Sequence, residues 1–265
     1  MKQPILKFLF VFLISFATQA QVGVGTTAPK GALDVQSNTY GVVYPTVALT
    51  STIIELPVDN PIADDLAIGT TVYNTNSTNT GANDVHPGIY TWDGTKWVAD
   101  FFKRQSQLYQ QATVLRSASN LGFQDVPGLG FLSFNSFTAE YTGLYKIEVK
   151  ANFGGGRVNT GVNVNTAMIE GQFRFVFGTD NYTFTTKAYS TYNSHISGGT
   201  HYVNRWKETY ITKYVALTAG VTYPLYLQFD QYNAPDFQFL GNLGNGLGYV
   251  GSEIPCFIEI TYIDE

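Results

Sequence analysis

The chain has 265 residues, with 15 Lys and Arg against 20 Asp and Glu, a net charge of −5, and 13% charged beside 15% aromatic residues. An acidic chain this poor in Lys and Arg has no electrostatic means of gripping nucleic acid or an anionic membrane surface. The single cysteine, Cys256, excludes an intrachain disulfide, and 26 Gly with 18 Tyr and 19 Phe is the composition of sheets and tight turns.

Residues 1–20 read as a signal peptide. Lys2 and Lys7 begin it, Pro4 to Ala17 is almost wholly apolar, and Thr18-Gln19-Ala20 places small residues around a cut after Ala20. The apolar run is shorter than the roughly 20 residues that span a bilayer. The expectation is export, to the medium or the cell surface, with no membrane insertion of the mature chain. Cleavage removes two Lys and takes the net charge from −5 to −7.

Residues 21–100 read as short strands separated by turn chemistry. Val22-Gly23-Val24-Gly25-Thr26-Thr27-Ala28-Pro29 and Ala32-Leu33-Asp34-Val35 give a small apolar pair of strands with a turn between. Gly41 to Pro45 is a further short run, and Thr50-Ser51-Thr52 is placed to cap one or two helical turns over Ile53, Ile54 and Leu56. Thr70 to Asn74 returns to strand. Gly88 to Trp92 and Lys96 to Val98 flank Asp93-Gly94 as a β-hairpin, with Trp92 and Trp97 packed across it. So few apolar residues per strand cannot bury a core alone, which points to oligomerisation. These motifs resemble a "VGIGTTxPxxxLDV" start found in exported surface proteins of Gram-negative bacteria and in phage tail-fibre-like chains. Trp92-Asp93-Gly94-Thr95-Lys96-Trp97 is the most specific part of that likeness. The resemblance implies a β-rich neck that intertwines as a trimer.

Residues 101–112, rich in Gln, read as a helical or extended linker. Beyond it Tyr145 to Phe153 alternates apolar with polar at every step, and Ile169, Gly171, Phe173, Phe175 and Phe177 share one strand face. Tyr210 to Leu217, Tyr223 to Phe229 and Phe257 to Ile263 keep the same period. Gly154-Gly155-Gly156, Gly178 to Asn181, Gly198-Gly199 and Thr218-Ala219-Gly220 read as the turns between them. Many antiparallel strands and no long helix-period segment give an all-β chain whose residues 113–265 form a jelly-roll β-sandwich head. Phe137 to Ile147, Val215 to Tyr223 and Cys256 to Ile263 resemble the strand and turn signatures of the complement component 1q and tumour necrosis factor superfamily. That resemblance implies a ten-stranded jelly roll that trimerises through aromatic faces. The sequence departs from it at Gly251-Ser252-Glu253-Ile254-Pro255 and in lacking a collagen stem.

Catalytic signatures are missing. There is no G-x-S-x-G, H-E-x-x-H or phosphate-cradling loop, and the histidines are His86, His195 and His201 only. His195 and His201 flank Gly198-Gly199, but zinc takes three or four such ligands, so no metal and no cofactor is expected. The segment richest in contact chemistry is Ala188 to Trp206, where Tyr189, Tyr192, His195, His201, Tyr202, Arg205 and Trp206 stand among Ser, Thr, Asn and Gly. They are the candidate ligand-binding residues; the alternative is that they pack the sandwich or a trimer seam. Gln231 to Gly248 reads as a long surface loop. The expected protein is a non-enzymatic homotrimer whose head binds a glycan or a surface protein. A purely structural appendage or matrix subunit is the alternative, with a polysaccharide-active jelly-roll enzyme behind it.

Overall fold

The computed structural model describes residues 21–62, 64–119, 121–203, 207–238 and 247–264. Residues 1–20, expected to be a signal peptide, and Arg205, Trp206 and residues 239–246 of the long loop lie outside them. The chain divides into two compact units, Met1–Pro45 and Thr46–Glu265.

In the first unit, β1 (Val22–Val24) pairs with β2 (Leu33–Val35). The pairing is parallel, which a turn between them does not give; residues 25–32 carry the chain back to start β2 alongside β1. Gly41 to Pro45, expected as a strand, forms none. Among residues 21–45 no side chain is buried.

The second unit opens with a four-stranded sheet of β3 (Thr46–Val47), β4 (Thr71–Asn74), β5 (Gly88–Trp92) and β6 (Trp97–Ala99), in that order. The expected hairpin is there: Trp92 faces Trp97 across β5 and β6, both are buried, and their rings lie 5.4 Å apart. Asp93 Oδ1 accepts from Thr95 N, Thr95 Oγ1 and Lys96 N, each at 2.8 Å, so the turn spans Asp93 to Lys96. Leu49, Val72, Val85 and Tyr90 complete a small core around the tryptophans. Residues 50–62 form turns rather than the expected helix. Trp97 Nε1 donates to Ile54 O at 2.9 Å, so the segment's backbone is spent on the sheet's core instead of on itself.

The remainder is a two-layer sandwich. One sheet holds β7 (Ser106–Gln110), β18 (Phe257–Asp264), β11 (Gly143–Gly155) and β15 (Lys207–Leu217) as neighbours, with β17 (Gly248–Val250) and β8 (Leu115–Ser117) at the far end of β11. The other runs β10 (Ser136–Thr138), β16 (Thr222–Gln231), β12 (Val164–Phe177), β13 (Asp180–Asn193) and β14 (Thr200–Val203), with β9 (Gln124–Asp125) beside β16. Chain-order neighbours such as β11 and β12, or β15 and β16, sit in opposite sheets, the double Greek key of a jelly roll. The all-β expectation holds.

Period-two alternation places the core. Tyr145, Ile147, Val149, Ala151 and Phe153 of β11 are fully buried while Lys146, Glu148 and Lys150 face out. Phe229 meets Phe153 at 4.7 Å and Phe173 at 4.6 Å, closing the sandwich. Gly171 belongs to this layer because a Cβ there would lie on the Phe229 ring and 2.7 Å from Asp230 O. Gly154 and Gly155, expected in a turn, continue β11, pairing with Tyr249 and Gly248. Their neighbours explain it, since a Cβ on Gly155 would lie 2.7 Å from Ser190 Oγ. Residues 106–110, inside the expected linker, form β7 because β18 offers them a free edge.

Gln105, just before β7, is fastened to the sandwich, and Asp84, between β4 and β5, carries the contact from the four-stranded sheet to it. Gln105 donates to Thr138 O at 2.7 Å and accepts from Glu140 N and the Tyr145 hydroxyl at 2.8 Å. Asp84 Oδ2 accepts from the Thr142 hydroxyl at 3.2 Å, and that hydroxyl accepts from Ala219 N at 3.0 Å.

Candidate functional site

The first candidate is the β1–β2 ladder itself. Val22 N donates to Ala32 O and Gln36 N to Val24 O, both at 2.9 Å. Gly25 makes this possible: its φ is +77°, and a Cβ there would collide with Gln36 O. The Gly spacing of the opening motif is thus a backbone requirement of the ladder. The ladder presents Val22, Val24, Leu33 and Val35 to solvent, and Tyr40 and Val43 beyond it are 85% and 89% exposed. A two-stranded ladder is marginal alone in water, and contiguous exposed apolar side chains mark an association surface.

The residues singled out between Ala188 and Trp206 fall on two faces of one hairpin. In the β13–β14 pairing Tyr192 stands opposite His201, and Thr191 opposite Tyr202. Tyr192 and His201 turn toward the core with rings 4.8 Å apart, and Tyr192 packs against the core cluster. Burial, then the nearby Arg157 charge, holds the His201 imidazole below its ordinary pKa of 6.5. Tyr189 and Tyr202 share the opposite, solvent face. His195 sits at the hairpin tip with Nε2 3.3 Å from Asn163 Oδ1. Among the described residues no three His, Cys, Asp or Glu converge on a metal-sized site. Cys256 is buried and its thiol pushed up to about 12, so it is an inert core residue.

A third region escaped the sequence reading. Phe131, Leu132 and Phe134 protrude from a single turn of 3₁₀ helix, Phe131–Ser133, just before β10. The available signal was three large apolar residues, Phe131, Leu132 and Phe134, packed between Gly130 and Asn135 without strand alternation.

Residues 23–109, about a third of the chain, match a family model described as the phage tail like trimerisation region. No curated protein matches. Among solved structures, the chain is similar to infectious bursal disease virus proteins. A T13 viral-particle chain is 8% identical at a TM-score of 0.25, covering 63% of this chain and 33% of that one. A Gt-strain chain is 9% identical at a TM-score of 0.29, covering 80% and 50%. This chain thus spans half or less of theirs, and likenesses at these scores carry no argument.

Proposed function

We propose that the chain is an exported, non-enzymatic subunit of a surface appendage or matrix, assembled as a homotrimer through its N-terminal third. The observation that carries this is the β1–β2 ladder with no buried side chain, inside a segment matching a trimerisation region. Three copies supply each other with the apolar cover that one copy lacks. The test uses the inertness of Cys256 as a quiet background. Val43→Cys chains treated with a trismaleimide run as covalent dimers and trimers on this reading; a monomer band alone contradicts it.

The head's likeness to the complement component 1q and tumour necrosis factor superfamily extends the reading to association between heads. Its support is the sequence resemblance of Phe137 to Ile147, Val215 to Tyr223 and Cys256 to Ile263; the sheet order β7-β18-β11-β15 against β10-β16-β12-β13 is that of jelly rolls in general. Adhesion to a glycan or a surface protein is a second function of the head, favoured by Tyr189 and Tyr202 on the solvent face of the β13–β14 hairpin.

A further inference from the structure

On the outer face of the sheet containing β16, Asp125, Gln228, Arg174 and Thr183 stand in one row across β9, β16, β12 and β13. Gln228 Nε2 donates to Asp125 Oδ1 at 2.7 Å, and Gln228 Oε1 accepts from Arg174 Nε at 3.0 Å and from Nη2. The Arg174 guanidinium lies 4.0 Å over the Phe123 ring. The row is therefore held rigid, and at about 4.8 Å per strand it spans roughly 14 Å.

Aromatic rings flank it. Tyr226 lies two residues along β16 from Gln228, Phe131 meets Tyr226 edge-on at 5.3 Å, and Phe134 lies 6.4 Å from Phe131. Leu132 N donates to Asp125 Oδ2 at 3.2 Å, fastening the aromatic turn to the polar row. Phe131, Leu132 and Phe134 are 55%, 73% and 79% exposed. Phe134 has φ 51 and ψ 35, a left-handed conformation that costs a phenylalanine about 1 kcal/mol or more. The turn thus holds an exposed ring against both solvent and backbone preference.

The hydrogen-bond inventory selects what would cover such a platform. A guanidinium has five N–H donors, two of them here on Gln228; a carboxylate has about four acceptor sites, two of them here filled. Spare donors and acceptors lie within one row, beside exposed ring faces. A hydroxyl group both donates and accepts, so a polyol meets either end of the row, while its C–H face covers the rings. An anionic ligand would meet Asp125 and a cationic one Arg174. A polypeptide anchor would bury the apolar turn but need matched donors and acceptors over the row.

We propose that Phe131, Phe134 and Tyr226, with the Arg174–Gln228–Asp125 row, bind a neutral glycan through one hexopyranose face. This deepens the adhesive reading of the head and is independent of the trimer. The test is saturation-transfer NMR of residues 21–265 with short neutral gluco-, manno- and galacto-oligosaccharides, with sialylated ones beside them. Transfer from a neutral sugar is expected, with affinity lowered about tenfold or more by Phe131→Ala and by Phe134→Gly. Phe134→Gly separates binding from folding, because glycine accepts that φ and the variant's melting temperature should equal or exceed the parent's. Tyr210→Ala, an exposed position on β15 in the other sheet, should leave binding unchanged. Absence of transfer from every neutral sugar, preference for the sialylated ones, or binding unmoved by both Phe variants would each overturn the proposal. Loss on Tyr202→Ala alone overturns this platform while leaving adhesion standing, and capture of a polypeptide through the same turn without sugar binding overturns the ligand class.

Discussion

Asp84 shows how much one carboxylate can organise. It is nearly inaccessible, and accepts from Thr80 N at 2.6 Å, Gly81 N at 3.2 Å, the Thr78 and Thr80 hydroxyls at 3.1 Å and the Thr142 hydroxyl at 3.2 Å. Burial by itself raises its pKa, but those hydrogen bonds outweigh burial and hold the carboxyl below the usual 3.8. A depressed folded pKa means the carboxylate's contribution is complete above the unfolded value near 3.9 and is lost as pH falls through the folded one. Asp84→Asn should therefore cost about 1–2 kcal/mol at pH 7, and the gap in melting temperature between parent and variant should shrink below pH 4. A gap constant with pH would show that the charge is not what matters. His86, packed edge-on against Tyr141 at 4.9 Å, is held below 6.5 by burial and then by Lys103. An imidazole kept neutral loses stability to the unfolded state as pH drops through 6.5, so acid weakens this join in two separate windows.

Gly171 is the complementary case, a residue whose role is to be absent. Its hydrogen makes the space in which Phe229 closes the sandwich. Gly171→Ala should destabilise by about 1–3 kcal/mol, read as a lowered denaturant midpoint with an unchanged slope.

At the scale of elements, the long strands were legible because burial on one face imposes period two, as in Tyr145 to Phe153 and Ile169 to Phe177. The Trp92–Trp97 hairpin was legible because Asp-Gly supplies the turn. Glycine elsewhere was ambiguous: the same residue marks a turn at Gly178 (φ +60°) and close strand approach at Gly154 and Gly155. The candidate ligand residues were ambiguous for a related reason. Period two separates Tyr189 from Tyr192 and His201 from Tyr202, but only the β13–β14 register sets His201 beside Tyr192 and Tyr202 on the face of Tyr189. Gly25 is where an element depends on one residue. Gly25→Ala should abolish the β1–β2 ladder while leaving the sandwich's melting unchanged. Limited proteolysis reads this as faster trimming of residues 21–45, and equal trimming rates would contradict it.

For the whole molecule, the sandwich has a full core of its own, with Phe153, Phe173, Phe229, Ile147 and Ile260 at zero exposure. Residues 21–45 have none. Sequence reasoning denied a core to the whole of residues 21–100, whereas residues 46–99 bury a small one around Trp92 and Trp97, and it had no means of seeing the parallel ladder, because pairing direction depends on the path of the intervening chain. The asymmetry makes oligomeric state the decisive property, and acidic net charge with few charged groups leaves apolar contact as the force that sets it. Light scattering on residues 21–265 at micromolar concentration tests this most directly. The predicted mass is three chains, stable to dilution; a single-chain mass at every concentration would contradict assembly through the N-terminal third.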